Sequence, residues 1–315
     1  MSALKKTLAA VAATASLAMA GHANAAAPAP KEEVSFVQVS PDITLRRLVV
    51  RNPSPKGVVL FLHGFPETML TWRSLAQQLG SEYEVHAFDW PGYGESSRPS
   101  TDKFSYAPRD YAQVLKAYID ASGIDKSKLV IYATDIGGLP SMLLALEQPN
   151  IARKIIVGDF APLDRPQLMS ERLRNLKAPQ TAETIRKALN QGRDDTIENA
   201  FRRGLDPSEQ FAIQQDVKAD MLAGWDKGSM STADAFYHYY SHFTSDQQYF
   251  EANLSRLTAP VKVVWGEKDI YIDKKMGEEF AAKSGKPFIV LPKLGHYPHL
   301  QAPQQTSDEI RAAFE

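Results

Sequence analysis

The stretch VIYATDIGG, residues 130–138, decides the fold because it joins a buried strand directly to a helix. Its first residues form an apolar run typical of strands covered on both faces. The turn carries Asp135, with the small residues Ala133 two positions before it and Gly137 two positions after it. A sharp strand-to-helix turn needs small residues at these places, and it pushes its central side chain out above the sheet. We therefore interpret Asp135 as a nucleophile; a helix N-cap is the alternative.

Similar apolar runs lie on both sides of this stretch. Segments with helical periodicity separate most of them, which predicts an α/β fold with a doubly wound, mostly parallel sheet. The predicted strands are 34–39, 43–51, 58–62, 85–88, 129–133, 155–157, 261–265 and 288–291, of which the first two alternate as antiparallel strands do. The predicted helices are 70–79, 106–121, 139–147, 274–283 and 307–314.

Residues 162–246 interrupt this alternation. They contain no convincing strand pattern and are rich in polar residues that favour helices. We expect them to form a helical cap, inserted after the sixth strand. The cap would then separate two parts of one core, residues 34–161 and residues 247–315.

The first 25 residues have the three parts of a secretory signal peptide. Residues 1–6 carry two lysines and no acid, residues 7–20 are apolar and small, and the triplet at 23–25 matches a signal peptidase site. We expect residues 1–25 to be removed and residues 26–33 to form a tether rich in proline and alanine. The mature protein would be periplasmic or secreted, and nothing later in the sequence indicates a membrane span.

The composition excludes several other chemistries. The sequence contains no cysteine, which excludes a thiol nucleophile and a thiolate metal site. The formal net charge is -1 and no basic run follows residue 26, so a nucleic-acid partner has no electrostatic support. We expect a small, roughly neutral organic substrate and water as the reactants, with no metal ion and no organic cofactor.

The motif HGFP, residues 63–66, directly follows the first buried strand. In a sheet with this type of strand-to-helix turn, such a loop supplies a backbone N–H, here that of Phe65. It converges with the N–H of Ile136, the residue after the nucleophile. These two amides form the predicted oxyanion hole, and we expect the ring of His63 to bond the loop backbone.

The predicted base is His296, which follows the last strand and a glycine that lets the loop turn. His299 lies nearby and is interpreted as a packing residue. Two acids follow neighbouring strands and can orient the far nitrogen of His296. Asp269 is favoured because its position gives the more usual chain order of such a triad, Asp159 is the alternative, and Asp273 is a weaker third candidate.

Four motifs together resemble the epoxide hydrolase branch of the α/β-hydrolase superfamily, which is related to the haloalkane and haloacetate dehalogenases. They are HGFPE (63–67), DWPGYGES (89–96), DIGG (135–138) and GH (295–296). The aspartate at the turn distinguishes this branch from the other members that the chain resembles. The esterases, lipases and peroxidases of the superfamily carry serine there. The resemblance implies the α/β-hydrolase fold and conversion of an epoxide to a vicinal diol through a covalent aspartyl ester.

The same resemblance implies that a cap tyrosine donates a hydrogen bond to the epoxide oxygen. Tyr240 falls on this donor position, and Tyr239 or His238 are the alternatives. A phenol suits the task because it is neutral at working pH and can protonate an alkoxide. The chain departs from the pattern of the branch in residues 162–183, where a second donor is usual but no Tyr, His or Trp occurs.

Two other functions stay open at this point. A haloalkane dehalogenase that this chain resembles would carry tryptophan after the nucleophile and asparagine after His-Gly, where Ile136 and Phe65 stand. A haloacetate dehalogenase would pair a cap tryptophan with histidine and carry two arginines; here Trp225 has no such neighbour and Arg109 has no twin. The third hypothesis is an exported binding or effector protein on a degenerate hydrolase scaffold.

Overall fold

The structure is a computed structural model and describes residues 30–315. The strands of this region are β1 (Lys31–Ser40), β2 (Ile43–Arg51), β3 (Val58–Leu62), β4 (Glu84–Phe88), β5 (Leu129–Thr134), β6 (Lys154–Gly158), β7 (Val261–Gly266) and β8 (Phe288–Leu291). They form one sheet in the spatial order β1-β2-β4-β3-β5-β6-β7-β8. The β1–β2 and β2–β4 pairs are antiparallel, and all other neighbours are parallel. The predicted doubly wound sheet is therefore confirmed.

Helices cover both faces of the sheet. They are α1 (Arg73–Leu79), α2 (Pro108–Ala121), α3 (Gly138–Glu147), α4 (Glu171–Lys177), α5 (Ala182–Gln191), α6 (Arg193–Asn199), α7 (Gln215–Trp225), α8 (Thr232–Ala252), α9 (Lys274–Ser284), α10 (Pro298–Gln301) and α11 (Pro303–Ala312). Along β5, Ile131 and Ala133 pack into the layer that contains α2, α3 and α9. Val130 and Tyr132 pack into the opposite layer, with α1 and α11. This double coverage explains the continuous apolar run in the sequence.

The five helices α4 to α8 lie between β6 and β7, as predicted for a cap inserted after the sixth strand. Ion pairs attach these helices to the core. Arg46 of β2 donates to Asp220 of α7 at 2.7 Å, and Arg109 of α2 donates to Asp246 of α8 at 2.6 Å. The position of the cap over the sheet is thus held by pairs between distant parts of the chain.

Two boundaries differ from the prediction. β1 begins at Lys31, so the last residues of the predicted tether, 31–33, belong to the sheet; an edge strand tolerates such exposed charged residues. The predicted end of the cap at residue 246 falls inside α8. This helix continues because its polar residues have partners: Asp246 pairs with α2, and Gln247 donates to the carbonyls of Ala161 and Leu163 at 2.8 Å.

The last predicted helix, 307–314, is displaced toward the N-terminus. Its place is taken by α10 and α11, each of which begins at a proline, the residue that suits the first turn of a helix. The predicted signal peptide, residues 1–25, lies outside the described residues, as do residues 26–29 of the tether. Between residues 30 and 315, no helix is long and apolar enough to cross a membrane.

Candidate active site

Asp135 stands at the turn between β5 and α3. Its φ is 49°, in the left-handed region, where a residue other than glycine carries about 1–3 kcal/mol of strain. The neighbouring segments approach so closely that a Cβ at Gly137 would lie 2.9 Å from Leu62 Cβ, and one at Gly64 would lie 2.6 Å from Asp135 Cβ. The turn therefore needs small neighbours, and it presents the Asp135 side chain, which is 10% exposed, above the carboxyl end of the sheet.

The carboxylate of Asp135 is held from two sides. The backbone N–H of Phe65 donates to Asp135 Oδ2 at 2.8 Å, and His296 Nε2 lies 3.8 Å from the same oxygen. Ile136, whose amide is the other predicted oxyanion-hole donor, is the next residue of the same turn. One carboxylate oxygen is thus fixed at an amide while the rest of the group remains able to react.

His296 bonds to Asp269 through its other ring nitrogen. The distance from Nδ1 to Asp269 Oδ2 is 2.8 Å, and Asp269 Oδ1 accepts from the N–H groups of Tyr271 and Ile272 at 2.8 and 3.1 Å. Burial alone would lower the pKa of His296, but the carboxylates of Asp269 and Asp135 raise this pKa well above its usual value. The two carboxylates on either side of the imidazole therefore favour its protonated form.

Asp159, the alternative acid, is fully buried behind this pair. Its Oδ1 accepts from the N–H of Gly266 at 2.8 Å, and its Oδ2 has no donor among the described residues. Burial, followed by the charge of Asp269, raises the pKa of Asp159 well above its usual value. Oxygens of both acids and a ring nitrogen of His296 lie within 4.8 Å of one another. The structure thus places Asp269 in contact with the imidazole and Asp159 beside it, where burial favours the neutral form of the acid.

The two predicted cap tyrosines have different partners. Tyr239 Oη donates to the carbonyl of Ile136 at 3.1 Å. Tyr240 is buried with its ring centroid 4.8 Å from that of Phe236, and its Oη has no hydrogen-bond partner within residues 30–315. Burial, and then the charge of Asp135, raise the pKa of Tyr240 well above its usual value. Tyr240 is therefore a protonated phenol that packs on Phe236 and lies within electrostatic reach of Asp135.

Two more aromatic side chains, His238 and Tyr93, are further candidates for the hydrogen-bond donor. His238 is half-buried and packs against Tyr106, at 6.1 Å between ring centroids. It lies two positions before Tyr240 in α8, and residues two apart do not share a face of a helix. Tyr93, in the loop after β4, was not singled out from the sequence. Its Oη is buried without a partner in the described part of the chain, and burial together with Asp135 raises its pKa.

Glu67 and His299 form a buried brace behind residues 63–66, the loop that carries the Phe65 amide and is called the oxyanion loop below. This brace was not identified from the sequence. Glu67 Oε2 accepts from the N–H of Gly64 at 2.7 Å, and Glu67 Oε1 bonds His299 Nε2 at 2.6 Å. His299 also stacks on Trp72, at 4.0 Å between ring centroids, which agrees with its interpretation as a packing residue. The brace fixes the loop that carries the Phe65 amide. The only feature of the sequence that indicated it is that Glu67 directly follows HGFP.

Two tyrosines beside His296 tie the site together. Tyr297 Oη donates to the carbonyl of Phe65 at 2.8 Å, and Tyr271 Oη donates to the carbonyl of Ala200 in the cap at 2.9 Å. Both phenols are committed to backbone acceptors. They connect the histidine loop to the oxyanion loop and to the cap.

A cavity lies between core and cap and reaches Asp135 and His296. Most of its wall is apolar. Its lining residues are Phe65, Asp135, Tyr271, His296 and Tyr297 from the core, and Arg172, Leu173, Leu189, Thr196, Ala200, Arg203 and Phe236 from the cap. The carboxylate of Asp135, the imidazole of His296 and the side of Phe65 thus open onto one space between core and cap.

Comparison with known proteins finds relatives at low identity and shared folds. A mouse protein named epoxide hydrolase 4 is 27% identical over 241 residues, which are 71% of this chain and 62% of that protein. The chain therefore spans less than two thirds of the mouse protein. The epoxide hydrolase from Vigna radiata superimposes with a TM-score of 0.72 at 20% identity, over 89% of this chain and 97% of its own.

A haloalkane dehalogenase from Bradyrhizobium elkani USDA94 superimposes almost equally well. Its TM-score is 0.71 at 20% identity, over 90% of this chain and 98% of its own. Both solved structures share the fold, and at this identity they show nothing beyond it. The sequence profile described as the alpha/beta hydrolase family matches residues 59–309, which is most of the chain. The protein therefore belongs to the alpha/beta hydrolase family.

Proposed function

We propose that the protein hydrolyses an epoxide to a vicinal diol through a covalent ester on Asp135. The observation that carries this proposal is a carboxylate at the strand-to-helix turn that opens onto a cavity whose wall includes Phe236, against which the phenol of Tyr240 packs. A carboxylate that attacks an epoxide carbon needs an acid for the oxygen that departs. The names of the relatives at low identity point in the same direction.

In the first step, Asp135 Oδ1 attacks an epoxide carbon, since Oδ2 is occupied by the Phe65 amide. The C–O bond of the ring breaks, and the oxygen takes the proton of Tyr240. The product is an alkyl ester whose carbonyl oxygen is Oδ2, which already lies at the oxyanion hole. The same amide therefore positions the nucleophile first and polarises the ester afterwards.

Ester formation also changes His296. It removes the negative charge of Asp135, one of the two charges that raise the pKa of the imidazole. His296 then gives up its proton, which restores the phenol of Tyr240, and becomes a base. It takes a proton from water, hydroxide adds to Asp135 Cγ, and the oxyanion forms on Oδ2. When the ester bond breaks, the proton passes from His296 to the leaving diol oxygen, and the new carboxylic acid returns a proton to His296.

Halide release is less well provided for than epoxide opening. The N–H groups of three tryptophans are used: Trp90 donates to the carbonyl of His63, Trp225 to the side chain of Asn190 and Trp265 to the carbonyl of Ile272. The remaining tryptophan, Trp72, packs beneath the sheet between aromatic rings. Three tryptophan N–H groups are thus committed and the fourth tryptophan lies in the opposite layer, so dehalogenation is the less favoured reaction.

The proposal is tested by the mass of the intact protein. His296→Gln, incubated with epoxides, haloalkanes and haloacids, is expected to stall as an ester and to gain the mass of one whole epoxide molecule. The control His296→Gln/Asp135→Ala should gain nothing. A gain that lacks the halogen of a haloalkane or haloacid would identify a dehalogenase instead. If a folded His296→Gln protein forms no adduct with any of these compounds, the binding or effector hypothesis is favoured.

A further inference from the structure

The cavity above Asp135 has a cationic end. Arg172, in the first turn of α4, and Arg203, just after α6, line it together with Asp135 and His296. These arginines come from different parts of the cap and are separated by 31 positions in the sequence. No step of the proposed reaction uses either guanidinium group.

The charges of the two arginines are incompletely compensated. Arg172 is exposed and forms no salt bridge with any carboxylate of the described chain. Arg203 pairs with Asp195, whose side chain is 60% exposed, so water screens this pair strongly. Among the residues that line the cavity, Asp135 is the sole carboxylate. The cap end of the cavity therefore offers positive charge to whatever occupies it.

The two arginines act electrostatically on Tyr271, which packs against His296. Burial raises the pKa of Tyr271, while His296, Arg203 and Arg172 lower it. The ring of Tyr271 packs against the ring of His296, at 5.0 Å between centroids. The guanidinium groups thus lie within electrostatic reach of a residue that touches the imidazole.

Apolar side chains separate the two ends of the cavity. Leu173, Leu189 and Phe236 from the cap line its wall. A ligand that fits such a space has an apolar middle and different groups at its ends. Guanidinium groups bind planar carboxylates through two parallel N–H bonds, which a point charge such as lysine does not provide.

We infer that Arg172 and Arg203 form a subsite for a carboxylate, and that the substrate is an epoxide whose far end carries that group. The identity of the reacting end rests on the proposed function, whereas the anion subsite does not. The inference departs from the neutral substrate that the net charge of -1 favours, because a net charge averages over the whole chain.

Binding of non-reactive ligands tests the subsite without any turnover. Octanoate and octanamide share a chain and differ in charge, and calorimetric titration gives their affinities for the wild-type protein. Octanoate is expected to bind about tenfold or more tightly than octanamide, and Arg172→Gln/Arg203→Gln should abolish that difference. The difference should also shrink as ionic strength rises from about 0.01 to about 0.15 M, since the subsite is partly exposed.

The matched control is Arg174→Gln/Arg202→Gln. It removes the same charge from neighbouring positions outside the cavity and should keep the preference for octanoate. Equal affinity of the wild type for octanoate and octanamide overturns the inference, and so does an equal loss of preference in the control.

Turnover gives the second arm. The terminal epoxides of octanoate and octanamide are offered to the wild type and to both double variants. The subsite predicts that kcat/KM for the carboxylate falls about tenfold in Arg172→Gln/Arg203→Gln while the amide is unaffected. If octanoate is preferred in binding but neither epoxide reacts, the subsite stands and the proposed function fails. If both epoxides react equally well in all three proteins, the function stands and the subsite fails.

Discussion

Replacing each of the two acids near His296 by asparagine is expected to give very different enzymes. Asp269→Asn should slow ester hydrolysis by about 10⁴-fold, the size of the effect when a triad acid loses its charge. Asp159→Asn should slow it by less than about tenfold, which corresponds to 1.36 kcal/mol. Both acids lie within 4.8 Å of the imidazole, so proximity alone does not distinguish them.

The difference follows from their protonation. Burial and Asp269 raise the pKa of Asp159, so asparagine replaces one neutral group by another of the same shape. Its carbonyl can accept from Gly266 N–H as Asp159 Oδ1 does now, at 2.8 Å, and its amide replaces an oxygen that has no partner among the described residues. One neutral hydrogen bond is altered, which is worth about 1 kcal/mol. At position 269, by contrast, asparagine removes the charge that holds the Nδ1 proton and stabilises the imidazolium.

Single-turnover kinetics with enzyme in excess separate the two steps. Ester formation is followed by intact mass after rapid quenching, and ester hydrolysis by the release of diol. Ester formation should stay within about tenfold of the wild type in Asp159→Asn, because the nucleophile and its amide are untouched. If Asp159→Asn slows hydrolysis as much as Asp269→Asn does, Asp159 is ionised and the roles given to the two acids are wrong.

Three further changes test neighbouring parts of the site. In Asp135→Asn the pKa of His296 should fall, since a raising charge is removed, so the NMR titration of the imidazole should show proton loss at lower pH than in the wild type. Tyr240→Phe should slow ester formation by about 100-fold, as expected for loss of a general acid, whereas Tyr239→Phe should mainly lower the free energy of unfolding, by about 1 kcal/mol, because its hydroxyl serves a backbone carbonyl. Glu67→Ala should lower the free energy of unfolding in urea by about 3–5 kcal/mol, because a buried imidazole and a loop amide both lose their partner, and an unchanged midpoint would contradict the brace.

The sheet and its strand-to-helix turn were predictable because they are encoded by neighbours in the sequence. A run of apolar residues covers both faces of β5, and the small residues around Asp135 answer a steric need of the turn itself. The ends of helices and strands were harder to predict, since they depend on contacts with residues far away in the sequence. Helix α8 passes the predicted boundary because Arg109, more than 100 positions earlier, neutralises Asp246.

The candidate site also has features that the sequence indicates locally and features that depend on how distant segments pack. The sequence indicates that an acid follows each of the neighbouring strands β6 and β7, but the reach of each side chain to His296 depends on how two loops fold. Tyr239 and Tyr240 differ by one helical position, about 100°, so only the packing of α8 decides which hydroxyl meets the Ile136 carbonyl. The arginine pair gives no local signal at all, because α4 supplies one member and the turn after α6 supplies the other.

The arginine pair also bears on which end of a charged substrate reacts. A carboxylate that entered the cavity in reverse would meet the carboxylate of Asp135, and two like charges about 4 Å apart repel by about 4 kcal/mol at an effective dielectric constant near 20. In the productive direction, the same group meets Arg172 and Arg203, and the uncharged epoxide meets Asp135. The repulsion alone favours this direction by nearly three orders of magnitude, since each 1.4 kcal/mol is a factor of ten. A nucleophile that must stay anionic therefore selects for an uncharged reacting end, and cations in the cap let the distal end be charged.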